Sequence, residues 1–377
     1  MQPRPAAVRL LVPGNIRHNS GGNVYNAALA HGLSQLGVSV DVEPVGGTWP
    51  VGSSEERRRL AGLLRSGTGD PARGLSAGGT VTILDGLVAS GAPEALEAAV
   101  AGGQRPWILL HMPLIDHPEL EIRALRASAG VICTSGSAAA EITRRHGAAR
   151  VHVALPGTEK AEPAAGSEPP HILSVAALLP NKDQLLLLGA LAQVQDLPWT
   201  AALVGSDEAD PDYAREVRAA LGGYGLEGRV RLAGELTGSA LEEQWHAADL
   251  SLLVSRVEAF GMVVTESLAH GVPVVVRSGT GAVEALNLGA VNPDAPERGG
   301  MRLPGAAVVL DTDPAPLEAV LRSWLTTPEL QAQWRQAALA GRDRLPGWHA
   351  TARHVLEIIG GTAPGPGHSS DRLASGQ

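Results

Sequence analysis

The 377-residue chain is poor in the residues on which several common chemistries depend. Its single cysteine, Cys133, sits in the apolar run VIC and cannot close an internal disulfide, which fits a reducing compartment. Aromatic residues make up 3%, and Phe260 is the sole phenylalanine. Lysine is nearly absent: Lys160 and Lys182 stand alone among 30 basic residues, so a lysine in a loop is conspicuous. Charged residues reach only 18%, and the net charge is −9. The one basic run, Arg57–Arg59, follows Glu55 and Glu56 on a predicted helix and reads as a solvated face. Nucleic acid is therefore not an expected partner. No stretch approaches the ~20 apolar residues that span a bilayer, and MQPRPAAVRL carries no signal-peptide core, so a cytoplasmic protein without a transmembrane segment is expected. His-Glu-x-x-His and a P-loop are missing, no full G-x-G-x-x-G follows the first strand, and no G-x-S-x-G sits at a strand-to-helix turn, which leaves metal hydrolysis, NTP hydrolysis, dinucleotide binding and serine hydrolysis unsupported.

What is present is a repeated strand–helix rhythm. Gly 46 and Pro 27 fall at element ends and act as punctuation. Strands are expected at Val8–Val12, Val38–Val42, Val81–Leu84, Trp107–His111, Val131–Thr134 and Val151–Leu155, with helices between them. One of these helices is expected to be capped by Ser137. GTEKAEPAAGSEPP, residues 157–170, marks a boundary, after which the rhythm restarts. The expected organisation is a Rossmann-like domain over 1–156, a linker over 157–170, a second Rossmann-like domain over 171–346, a C-terminal helix over 347–360 and a disordered tail over 361–377. The charge divides with it. Residues 1–157 carry a net +2 and residues 158–377 a net −11.

The most informative stretch is 249–276. The short apolar run Leu250–Val254 reads as a buried strand. A loop follows with Glu258, Phe260 and Gly261, then a helix with Glu266 on its first turns, ending at Gly271. Strand Val272–Val276 resumes after it. In doubly wound sheets, ligands bind at the rim where such loops lie. A helix N-terminus there offers free amides to a phosphate. Read alone, Glu266 is equally an early-helix acid favoured by the dipole, and Glu258 a solvated loop charge.

Glu258 and Glu266, separated by AFGMVVT, resemble the Glu-x7-Glu signature of retaining glycosyltransferases of family 4. That resemblance implies an α/β chain of GT-B architecture: two facing Rossmann-like domains with parallel sheets and a C-terminal helix crossing back to the first. It further implies transfer of a sugar from a nucleoside-diphosphate sugar, with retention and without metal or cofactor, to an acceptor bound in the interdomain cleft. The acceptor is left open. By the same resemblance, Glu258 orients the donor sugar and His111, at a strand end, reaches it; Lys182 holds the diphosphate with amides at Gly261, Met262 and Val263 beside Phe260; Glu266 takes the ribose; and backbone at Glu235 and Leu236 holds the base. Gly21 and Gly22 resemble the first domain's sugar-approach loop, though a tight turn needing positive φ explains them as well. One departure stands out. Where relatives carry Gly-Arg ahead of the lysine, this chain has Ala176–Ala177, with Arg256 the nearest loop arginine. It keeps open a sugar-nucleotide-binding pseudo-enzyme, alongside an epimerase or phosphorylase on the same fold. Asp311 and Asp313 imitate a metal-binding Asp-x-Asp, but Pro314 argues for Asp313 as a helix cap.

Overall fold

The computed structural model describes residues 5–16, 20–66, 79–290 and 302–361, and the expected tail from 362 onward lies outside them. Two compact units result: 1–157 with 346–377, and 158–345.

The first unit holds strands β1 (Ala7–Pro13), β2 (Ser39–Val45), β3 (Thr80–Asp85), β4 (Trp107–Leu110), β5 (Gly130–Cys133) and β6 (Val151–Val153). They form one parallel sheet in the order β2-β1-β3-β4-β5-β6. Helices α1 (Gly21–Gln35), α2 (Ser54–Ser66), α3 (Gly86–Gly91), α4 (Pro93–Ala101), α5 (Pro118–Arg126) and α6 (Gly136–His146) connect them. Its strands are continuous apolar runs such as WILL and GVIC, as expected of a parallel sheet covered on both faces. Two local expectations are corrected. Ser135, not Ser137, caps α6, its hydroxyl accepting from the Ala138 amide, because the helix begins two residues earlier, at Gly136. Gly21 and Gly22 are the first two residues of α1 behind the Ser20 cap, and neither has positive φ, so they form a helix start rather than a loop.

The second unit holds β7 (His171–Val175), β8 (Thr200–Val204), β9 (Val230–Gly234), β10 (Leu250–Leu253), β11 (Val274–Arg277) and β12 (Gly305–Val308). They pair in parallel in the order β12-β11-β10-β7-β8-β9. Its helices are α7 (Gln184–Ala192), α8 (Pro211–Gly223), α9 (Ser239–Ala247), α10 (Met262–Ala269), α11 (Ala282–Leu288), α12 (Ala315–Thr326) and α13 (Pro328–Gly341). Residues 158–170 are not a free tether. The Ala164 and Ala165 amides donate to the carbonyls of His270 and His246, both at 2.8 Å. The Asp249 carboxylate accepts from the Ser167 and His171 amides at 2.9 and 2.8 Å. The final helix, α14 (Trp348–Ile359), belongs to the first unit, where it packs on α1 and Thr351 donates to the Leu155 carbonyl at 2.8 Å.

Strand order matters for function because each sheet reverses its winding once. In the first unit the reversal lies between β1 and β3, and in the second between β7 and β10. The crevice outside the strand C-termini at such a point is the ligand site of open α/β sheets.

Candidate active site

At the second unit's reversal point, β7 leads into a short 3-10 turn, Pro180–Lys182, and β10 leads into the loop carrying Glu258. The two loops are stitched together by the Arg256 amide, which donates to the Asn181 carbonyl at 2.8 Å. Lys182 Nζ donates to Glu258 Oε2 at 2.8 Å, both side chains being about one-fifth exposed (22% and 17%). The sequence gives these two residues separate duties, and the structure pairs them with each other.

The lysine is held from below by a network the sequence reading missed. Asp183 is buried and adopts left-handed backbone (φ 57°), an uncommon conformation that costs on the order of 1–3 kcal/mol unless its surroundings enforce it. The enforcement is visible. Its Oδ1 accepts from Arg256 Nη2 at 2.9 Å, and its Oδ2 accepts from Arg277 Nη2. Arg277 is itself buried and also donates to the Val254 and Leu310 carbonyls. Burial pulls the Arg277 guanidinium below its ordinary range, and Asp183 opposes that shift. Arg256 is thus tied to Asp183 by one nitrogen, while its side chain stays 55% exposed.

Gly261 starts α10 with φ +85°, a left-handed turn that suits glycine, and leaves the Met262 and Val263 amides as the helix's first two donors. The loop before it is clamped by α11. The Gly281 amide donates to the Glu258 carbonyl at 2.7 Å, and a Cβ on Gly281 would lie 1.8 Å from the Ala259 oxygen. Phe260 is buried, and Val263 packs partly against the core around Trp245. Glu266 follows one turn into α10, and no hydrogen bond reaches its carboxylate among the described residues. Burial pushes that carboxyl up, His270 nearby works against the shift, and Glu242 adds to it. Glu235 lies exposed just beyond β9, and Leu236 is half-buried against the Trp245 cluster.

His111 lies in the first unit, immediately after β4. Its Nε2 is 3.0 Å from Asn26 Oδ1 and 3.3 Å from Asp85 Oδ2. Asp85 carried a legible signal, an acid closing the apolar strand TILD, whereas Asn26 carried none. Asp313 is not the N-cap: α12 starts at Ala315 with Pro314 as its cap residue, and the Asp313 carboxylate, one residue further back, accepts from the Ala315 amide at 2.9 Å. No helix of the described residues is long and apolar enough to cross a membrane.

Residues 157–340 match the family model described as glycosyl transferases group 1. The second unit is a group 1 glycosyltransferase domain. A D-inositol 3-phosphate glycosyltransferase of Streptosporangium roseum is 27% identical over 65% of this chain and 59% of its own length. The chain spans 29, 43 and 59% of the lengths of three curated relatives it matches. Among solved structures, sucrose-phosphate synthase of Thermosynechococcus elongatus superposes with a TM-score of 0.72 at 19% identity, over 94% of this chain and 98% of that one. Anabaena HepE in complex with UDP-glucose gives 0.69 at 18%, over 94 and 99%. At these identities the likeness establishes the fold, which is GT-B.

Proposed function

We propose that the protein transfers a sugar from a nucleoside-diphosphate sugar to an acceptor with retention of configuration, the group 1 domain holding the donor. The observation that carries this reading is the Lys182–Glu258 pair, set across the β7/β10 reversal beside the N-terminus of α10. A leaving diphosphate needs positive charge that is already in place. Lys182 and the amides of Met262 and Val263 supply it. Glu258, released from Lys182 when phosphate arrives, turns to the hydroxyls of the donor sugar. Glu266, a carboxylate without a hydrogen-bond partner among the described residues, suits the ribose hydroxyls. His111 serves a sugar hydroxyl. The positive charge comes from these groups, so turnover is expected to persist in chelator.

Ala176–Ala177 favours a second reading, a protein that binds a nucleotide sugar without turning it over, since no arginine stands at 177 to grip the diphosphate bidentately. One pair of measurements separates the two. Thermal unfolding with UDP-, GDP- and ADP-sugars should show one donor stabilising the fold, by roughly 2.7 kcal/mol at a hundredfold excess over its dissociation constant. Release of nucleoside diphosphate from that donor then marks the transferase. If no nucleotide raises the midpoint, both readings fail.

A further inference from the structure

We propose that Asp85 and Asn26 are positioning residues for His111, fixing the imidazole proton on Nε2 and presenting Nδ1 as the atom that accepts a sugar hydroxyl. The role assigned to Nδ1 rests on the transferase reading; the wiring of the ring does not.

The three residues converge at the first unit's reversal point: Asn26 on the helix after β1, Asp85 ending β3, His111 after β4. Asp85 is 2% exposed and Asn26 3%. The carboxylate is an acceptor only, and its atoms are assigned. Oδ1 takes the Leu87 amide at 2.9 Å, capping α3, and Oδ2 takes Asn26 Nδ2 at 2.9 Å. That second bond fixes the orientation of the Asn26 amide, because its oxygen would otherwise face an anion. The Asn26 oxygen therefore points at His111 Nε2. Both neighbours of Nε2 are acceptors, so Nε2 carries the hydrogen. The hydrogen bond made by one ring nitrogen sets what the other can do. Nδ1 makes no hydrogen bond among the described residues and is not a buried atom, so in the neutral ring its lone pair is open to a ligand.

The ring cannot readily turn away. Tyr25 meets it edge-on at 5.2 Å between centroids, and Gly22 lies so close that a Cβ there would be 3.2 Å from His111 Cδ2. The groups facing it are few. Tyr25 donates its phenol to the Ala154 carbonyl at 2.9 Å, and burial keeps that phenol neutral. Thr134 meets only the His111 carbonyl. Among the described residues, Asp85 is the charge at the ring. Burial works to raise its carboxyl, but His111, Asn26 and the Leu87 amide together hold it below the usual range, and hence ionised.

The test needs no ligand. Long-range ¹H–¹⁵N spectra of the imidazoles in the full chain, with His111 assigned by loss of its signals in His111→Asn, read the tautomer directly. The expected neutral form carries its proton on Nε2. A wild-type ring protonated on Nδ1 overturns the proposal. In Asp85→Asn the anion that orients the Asn26 amide is gone, so an Nδ1-protonated form of His111 should appear beside the Nε2 form. A folded Asp85→Asn whose ring stays wholly in the Nε2 form overturns it as well, and if Asp85→Asn does not fold, the wild-type tautomer still decides. For the role of Nδ1, His111→Asn places an amide oxygen near its position and His111→Gln near that of Nε2. Nucleoside diphosphate release from the donor found by thermal shift should be at least about tenfold faster in the Asn variant. Equal rates refute the role of Nδ1, and the correct tautomer without transfer from any donor refutes the transferase reading alone.

Discussion

The two units share a parallel six-stranded sheet and put their polar groups where strand order reverses, yet they wire those groups in opposite ways. In the first, buried Asp85 and Asn26 spend themselves on one edge of His111 and leave its other nitrogen open. In the second, Lys182 and Glu258 are spent on each other. The first site is therefore preorganised, whereas the second must exchange partners before it can hold phosphate. Supporting charge differs as well. Asp85 faces neutral donors and one imidazole, while Asp183 sits between two guanidinium groups.

The largest expected effect breaks that support. Asp183→Ala leaves the buried Arg277 without its carboxylate, which should cost about 3–5 kcal/mol in denaturant unfolding. Asp85→Ala removes a helix cap and unpairs an amide, at about 1–3 kcal/mol. If Asp85→Ala proves the more damaging, the contrast in wiring is wrong. Next in size is the donor site. Lys182→Ala should lower nucleoside-diphosphate affinity by one to two powers of ten, since a charge-assisted bond contributes about 1.5–3 kcal/mol, and Lys182→Arg should restore only part of it. Equal affinity in wild type and Lys182→Ala would transfer the phosphate to another cation, with Arg256 first in line.

A smaller effect sharpens the price of readiness in the second unit. Burial raises the Glu266 carboxyl above its ordinary 4.5 in the folded chain. The folded state thus holds its proton to higher pH than the unfolded state, so this group loses stability as pH rises from 4.5 through the folded value. Glu266→Gln should stabilise the protein at neutral pH by about 0.5–2 kcal/mol while weakening nucleotide binding. The gain should vanish below pH 4.5. A neutral-pH midpoint that falls in Glu266→Gln would show that the carboxylate is supported in the fold after all.

The contrast also explains what was legible in the sequence. Apolar runs of four to seven residues bounded by glycine and proline announce parallel strands, because both faces are covered and burial is written locally. The Glu258–Glu266 spacing is likewise local, fixed by one loop and one helix. Asp183 meets Arg256 and Arg277 across 73 and 94 residues, and Asn26 meets Asp85 across 59, so no window of the sequence displays either network. Helix α3 escaped notice for a different reason: six residues with glycine at each end have no periodicity to read. The Pro-rich stretch at 158–170 reads as a tether by composition, yet its amides find the carbonyls of His246 in α9 and of His270 just after α10, which composition cannot foresee.

The exchange of partners at Lys182 is the central claim, and calorimetric titration of the stabilising nucleoside diphosphate into wild type and Glu258→Gln tests it most directly. Removing the carboxylate frees Lys182 before the ligand arrives. A pair of this partial exposure contributes about 0.2–1 kcal/mol, so Glu258→Gln should bind the sugar-free nucleotide up to about fivefold more tightly, even as turnover of the sugar donor falls. Weaker nucleotide binding in Glu258→Gln would contradict the account, because Glu258 would then hold the nucleotide rather than compete with it for Lys182.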